Sequence, residues 1–335
     1  MTAVRLPLDA FYAREARHPN KPYLSQPIAG GQVEQLNWSE VGDQARRAAN
    51  WLRSLELPQG SRIAIISKNC AHWIITDLAI WMAGHVSVPL YPNLTADSVR
   101  QVLEHAQAAV VFVGKLDDWP AMAPGVPEGI SCVGLPLRPS GRFDALWSDL
   151  QACTPIQDQP KPAADQLCTI IYTSGTSGHP RGVVHAHRAL WARGMMHQGW
   201  EGLTESDRLL HAGAFNWTYT LGTGLMDPWT VGATALIPGA GVTPDQLPLL
   251  LKRFDATILA AAPGVIRQML RGTLPALPRL RHGLSAGESL SPALRQDCAE
   301  RHLREVLQGE PVAALSVREE AGRGQVVRIE LAPLG

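Results

Sequence analysis

The 335-residue chain carries 30 Lys+Arg against 30 Asp+Glu, a formal charge of zero that leaves no electrostatic footprint for nucleic acid or an anionic membrane. With 45% hydrophobic and 18% charged residues it has the composition of a soluble globular protein, long enough for about two domains or one large α/β unit. Cys70, Cys132, Cys153, Cys168 and Cys298 are odd in number and form no CxxC pair. They read as reduced core residues of a cytoplasmic protein, which argues against a disulfide frame or a zinc site.

The first 21 residues contain no apolar h-region, so no secretory signal is expected. Ser39 is the expected cap of a helix over WSEVGDQARRAANWLRSL, and RIAIIS at 62–67 reads as a buried strand. The most apolar window, 73–82, includes Asp77 and is too short to span a bilayer, so it predicts a buried helix. A strand is expected at 86–90, a helix capped by Thr95 over TADSVRQVLEHAQ, and a strand at 110–113. Residues 120–162, rich in Pro and Gly, read as a surface connection with one short helix near 143–152, and offer a subdomain boundary. Further strands are expected at 167–172, 233–237, 257–259 and 280–284, and Ser291-Pro292 opens a helix over SPALRQDCAERHLREVL. Strands alternating with helices of this length predict parallel sheets covered by helices on both faces. The last stretch, 310–335, changes character and reads as a β-hairpin tail appended to the α/β body.

The chemistry concentrates in IIYTSGTSGHPRGVVHAH, 170–187, where an apolar run breaks into hydroxyls, glycines and one Arg before resuming at Val183-Val184. Glycine lets backbone N–H groups approach an anion closely, and clustered Ser/Thr hydroxyls add donors without bulk. Closed by the permanent forked charge of Arg181, such a loop can wrap nucleotide phosphates. On composition alone a plain surface loop accounts for it equally well. The spacing fits neither the Walker pattern nor GxGxxG: counted from Gly175, Pro180 stands where Gly must be, and counted from Gly178, Val183 does.

Other constellations are weaker. GLSAG at 283–287 matches G-x-S-x-G with Ser285 as nucleophile, and Asp297 and His302 follow in order. Both partners fall on one expected helix directly after the elbow, however, and no HGGG-type segment is present. His185-x-His187 lacks a nearby Cys, Asp or Glu to complete a metal set. Phe215, Asn216, Trp217 and Tyr219 either line an apolar substrate pocket or pack as core at helical spacing.

TSGTSGHPRG resembles the signature of the adenylate-forming (AMP-binding) superfamily, Tyr-Thr-Ser-Gly-Ser/Thr-Thr-Gly-x-Pro-Lys-Gly. Thr173, Ser174, Gly175, Thr176, Gly178, Pro180 and Gly182 match; Ser177 replaces the second Thr and Arg181 the Lys. The resemblance runs over about residues 8–301. The stretch from WSEVGDQARRAANWLRSL through HAQAAVVFVG is similar to bacterial acyl-CoA synthetases, DRLLHAGAFNWTYTLGTGLMDPWTVGATALIPG to the family's acyl-pocket region, and RHGLSAGESLSPALRQ to its adenine-side turn.

The resemblance implies an α/β fold, the N-terminal domain of an adenylate-forming enzyme over 1–309 without the small C-terminal domain, and ATP-dependent activation of a fatty or aryl-aliphatic acid. Mg²⁺ and ATP would be cofactors and CoA the acceptor. It implies that Thr173, Ser174, Gly175, Thr176, Ser177, Gly178 and Arg181 cradle phosphates, with Thr176 and Arg181 catalytic. Ala286, Gly287 and Glu288 would face adenine, and His187 sits where the family often places a His beside the phosphates. The family's Tyr-Gly-x-Thr-Glu and Thr-Gly-Asp motifs and its catalytic Lys have no counterpart in this sequence, and Glu310 is the nearest trace of the first. A non-catalytic truncated remnant, or a nucleotide- or acyl-binding module, is therefore the alternative reading, and a serine hydrolase using Ser285 the third.

Overall fold

Short β-branched and leucine-rich runs form strands here because helices bury both their faces. In the computed structural model, residues 5–173, 181–239, 242–272, 274–286, 291–294 and 296–297 are described, together with the backbone of 314–319 and 325–330. They form two compact units, one of residues 1–22, 36–192 and 214–218 and the other of 23–35, 193–213 and 219–335.

Among the described residues the strands are β1 (Pro22–Pro27), β2 (Val33–Asn37), β3 (Arg62–Ile66), β4 (Val86–Leu90), β5 (Ala108–Val113), β6 (Ser131–Gly134), β7 (Ala145–Leu146), β8 (Leu167–Thr173), β9 (Arg181–Ala186), β10 (Arg208–His211), β11 (Thr234–Leu236), β12 (Ile258–Ala261), β13 (His282–Ser285), β14 (Ala314–Glu319) and β15 (Gln325–Glu330). The first unit holds a seven-stranded sheet in the order β7-β6-β5-β3-β4-β8-β9. Its pairs are parallel except for β8–β9. The second sheet runs β14-β15-β13-β12-β10-β11-β1-β2. Strands β1, β11, β10, β12 and β13 pair in parallel, and β15 joins β13 antiparallel, with β14 outside it.

The expected strands appear within a residue or two of their predicted bounds. Of those not foreseen, β10 matters most to the second sheet: four residues reading RLLH, too short to show periodicity. It lies at the centre of that sheet, where both faces are covered. Leu210 and Leu259 enter one apolar cluster, and Leu209, Ile258, Ala260 and Leu284 enter another. Each leucine side chain so removed from water contributes about 1.5–3 kcal/mol. At the sheet's other end, Asp207 ties three strand starts together. Its carboxylate accepts from the Thr204 amide (2.7 Å), the Thr257 hydroxyl (2.6 Å) and the Arg281 guanidinium (Nε, 2.9 Å). Burial raises its pKa, but Arg281 and these donors outweigh burial and hold it below the ordinary carboxylate range.

Two expectations need correction. Asn37, not Ser39, caps the helix Trp38–Ser54: it accepts from the Glu40 amide (2.9 Å) while Glu40 accepts from the Asn37 amide (2.8 Å). A capping box two residues earlier satisfies two backbone donors at once, and Ser39 merely donates to Asn37 Oδ1 (2.8 Å). Residues 120–162 lie wholly inside the first unit, so no unit boundary falls there. Thr95 caps its helix as expected, accepting from the Ser98 amide. No helix among the described residues is long and apolar enough to cross a membrane.

The helix Ala71–Met82 is buried along its whole length, Asp77 included, at 1% exposure. Both Asp77 carboxyl oxygens lack a hydrogen-bond partner among the described residues, and burial pushes its pKa up to about 7, only partly opposed by the nearby Ser87 hydroxyl. Since the folded value exceeds the unfolded one, the contribution of Asp77 is intact below about pH 4 and is lost as pH rises through about 7. Asp77→Asn is expected to abolish this loss. Urea unfolding should show the variant gaining on the order of 2 kcal/mol over the parent between about pH 5 and pH 8.

Candidate functional site

The Gly-Ser-Thr loop is carried by β8 and β9. These strands pair antiparallel up to Thr173 opposite Arg181, so residues 174–180 connect the two arms of a hairpin. Gly182 allows that close pairing, because a Cβ there would stand 2.9 Å from Ile170 Cγ2 and 3.2 Å from the Tyr172 ring. The Tyr172 hydroxyl meets His105 Nδ1 at 2.7 Å, fixing the end of β8 to a neighbouring helix. Arg181, at the foot of the hairpin, is exposed and forms no ion pair with a described residue. Ser174, Gly175, Thr176, Ser177 and Gly178 lie outside the described residues, and Thr173 is described by its backbone alone.

The two histidines after the loop are packing groups. The buried His187 ring meets Trp81 edge-on at 5.3 Å, and burial holds its pKa down at about 4. His185 stands on β9, its pKa also lowered by burial. Neither belongs to a metal-ligating cluster among the described residues.

Phe215 and Asn216, in the first unit, are both 2% exposed. The Phe215 ring packs on Trp73 at 5.5 Å, and its amide donates to Asn69 Oδ1 at 2.9 Å. Neither polar atom of the Asn216 side-chain amide has a partner among the described residues. Trp217 is half-buried. Tyr219 belongs to the second unit, where its ring meets His211 at 4.5 Å and Trp200 at 6.1 Å. Ala286 follows β13 and is half-buried, while Gly287, Glu288, His302 and Glu310 lie outside the described residues. Ser285 is buried at the end of β13, and its Oγ has no hydrogen-bond partner among the described residues, so no described base activates it.

The sequence did not reveal the polar cluster behind Tyr219. Arg193 donates to Asp227 through Nε (3.0 Å) and Nη2 (2.5 Å), and to Thr223 Oγ1 at 3.2 Å. Thr223 in turn donates to Glu201 Oε1 at 3.2 Å, and His197 Nε2 meets Asp227 Oδ1 at 3.1 Å. Burial raises the Asp227 pKa, but Arg193 outweighs it and keeps this group ionised. Burial and the neighbouring Asp227 charge drive Glu201 the other way, well above the usual range. His197, Glu201 and Asp227 have ligand atoms near enough for a metal ion. Arg193 already engages both Asp227 oxygens, so the cluster is an ion-pair network neutralised from within. Gly222 makes room for it, since a Cβ there would overlap the guanidinium. The only trace in the sequence is the Gly-x-Gly of 222–224, which forms a π-helical turn over Gly222–Met226.

Mostly parallel sheets flanked by helices define an α/β class. Chains of known structure share the fold. An anthranilate CoA ligase solved with anthranoyl-AMP aligns at TM-score 0.77 and 23% identity, over 90% of this chain and 58% of that one. Acetoacetyl-CoA synthetase from Streptomyces lividans aligns at TM-score 0.82 and 18% identity, over 93% and 51%. Residues 11–309 match the family model described as "AMP-binding enzyme", and the chain belongs to that family. Among curated proteins, the 4-hydroxybenzoate--CoA/benzoate--CoA ligase of Rhodopseudomonas palustris is 28% identical over 82% of this chain and 52% of its own length. The mitochondrial acyl-coenzyme A synthetase ACSM2 of Rattus norvegicus is 25% identical over 78% and 47%. The chain thus spans about half the length of these curated relatives.

Arg193→Ala should leave Asp227 buried without its cation, costing about 3 kcal/mol in urea unfolding. Arg193→Lys is expected to recover little of it, because an ammonium cannot make the paired contacts.

Proposed function

We propose that this chain activates a carboxylic acid with ATP, forming an acyl-adenylate and pyrophosphate. The β8–β9 hairpin carries this reading: it presents a loop of Ser, Thr and Gly with the exposed Arg181 at its foot. In this reading Thr173, Ser174, Gly175, Thr176, Ser177, Gly178 and Arg181 hold the β- and γ-phosphates by backbone N–H, hydroxyl and guanidinium groups. Thr176 and Arg181 would neutralise charge that builds on the leaving pyrophosphate. A carboxylate oxygen of the acid attacks the α-phosphorus in line as the bond from that phosphorus to the bridging oxygen breaks. Ala286, Gly287 and Glu288 would border the adenine.

Mg²⁺ would enter with the ATP phosphates, whose charge it shields. No described residue is assigned to it, because the one cluster of ligating side chains among them is held by Arg193. Transfer to the thiol of CoA is the second half-reaction proposed. Of the four residues the sequence offers for the acid's pocket, Tyr219 would wall it in the second unit. Relatives named for benzoate and hydroxybenzoate support an aryl acid, and one named as a long chain acyl-CoA synthetase supports a fatty one. A module that binds nucleotide or acid without turnover is the second reading.

Acid-dependent exchange of labelled pyrophosphate into ATP tests the first against the second. Exchange should fall about 10²–10³-fold in Arg181→Ala. A folded chain that binds ATP but shows no exchange with any acid would leave the binding module.

A further inference from the structure

The seven-stranded sheet of the first unit has two unequal edges. One is β7, two residues long and too short to serve as a template for another strand. The other is β9, six residues reading RGVVHA, which pairs with β8 alone. Proteins normally blunt an edge strand with Lys, Pro or an acidic residue, with a bulge, or with a covering element. None of those residue types occurs in β9, whose one charge, Arg181, stands at its start. The register shift of the hairpin falls between Leu167 and Thr169 on β8, so β9 pairs without interruption from Arg181 to His185. Val183 and Val184 point to opposite faces of the sheet, and both are exposed, at 45% and 57%.

Two contacts fix the direction of the backbone groups. The His187 amide donates to the Gln166 carbonyl at 3.1 Å, and the His185 carbonyl accepts from the Cys168 thiol at 3.2 Å. Both groups point toward β8. Alternation along a strand then turns the N–H and C=O of Gly182, Val184 and Ala186 outward. Among the described residues no backbone partner meets those outward groups.

We infer that β9 is the interface of a symmetric dimer, in which β9 of a second copy of this chain pairs with it antiparallel about a two-fold axis at Val184. Only residues that face outward can bond one another, and the axis at Val184 engages all three. Val184 then meets Val184 of the second copy, and Gly182 meets Ala186. Hydrogen-bonded pairing sets the two Val184 Cα atoms about 5.5 Å apart. The two Arg181 side chains stand at opposite ends of the paired segment, where neither faces its like. The formal charge of the chain is zero, 30 basic against 30 acidic residues, so no net repulsion holds two copies apart. The pairing also closes on itself, because it leaves only the two-residue β7 at each end of the joined sheet. The inference is independent of the proposed acid activation.

Sedimentation velocity of the full chain over a concentration series should show a monomer–dimer equilibrium. Val184→Lys and Val184→Glu should each set like charges face to face and raise the dimer dissociation constant at least about 10-fold. An equimolar mixture of the two variants should recover the dimer, because each Lys then meets a Glu. Misfolded variants could not give that recovery. Leu249→Lys, which removes an exposed leucine (63%) from the second unit, should leave the dimer intact. A parent chain that stays monomeric, assembles without limit, or dimerises equally well in both Val184 variants overturns the inference. So does a mixture that fails to recover the dimer, or a Leu249→Lys chain that loses it.

Discussion

The second unit is arranged around one buried ion pair, Arg193 with Asp227. Two charges taken out of water are costly unless their hydrogen bonds are complete, and here the guanidinium fork engages both carboxylate oxygens. That geometry requires Gly222, because any larger side chain would occupy the space of the guanidinium. It also anchors the π-helical turn Gly222–Met226, which follows directly on Tyr219, Thr220 and Leu221. His197, Thr223 and Glu201 complete the network, and the raised pKa of Glu201 comes from sharing a dry site with a carboxylate that has already taken the cation.

The two ends of the second sheet divide the work. At the amino ends of its central strands, Asp207 gathers donors from Thr204, Thr257 and Arg281. At the carboxyl ends, His211 Nε2, Thr220 Oγ1 and Ser285 Oγ are buried without a partner among the described residues. The strands themselves are satisfied by their ladders, so the contrast lies in the side chains. Saturated polar groups hold the strand starts together. Asp77, deep in an apolar helix of the first unit, is unsatisfied as well, and its cost emerges as pH-dependent stability.

The strands at 62–66, 86–90 and 108–113 and the buried helix Ala71–Met82 were legible because their residues repeat one preference over five or more positions. The loop was legible for a different reason. The close pairing of β8 and β9 demands Gly182, and the hydroxyls and glycines before it keep the spacing of a motif in the sequence. The helix start at Asn37 was misplaced by two residues, since Ser39 is an equally good cap until Glu40 is seen reaching back.

The sequence by itself determined the fold class, the family and the loop between β8 and β9, since periodicity and motif spacing are local properties of the chain. Only the tertiary structure decided that RLLH is the central strand of a sheet, that Arg193 and Asp227, 34 residues apart, share one buried site, and that His211 and Thr220 converge on Gly213. Burial and partnership depend on which distant segments meet, and four residues of sequence carry no record of their neighbours. A histidine at the end of a short strand therefore looks ordinary until the structure shows that one ring nitrogen is satisfied and the other is not.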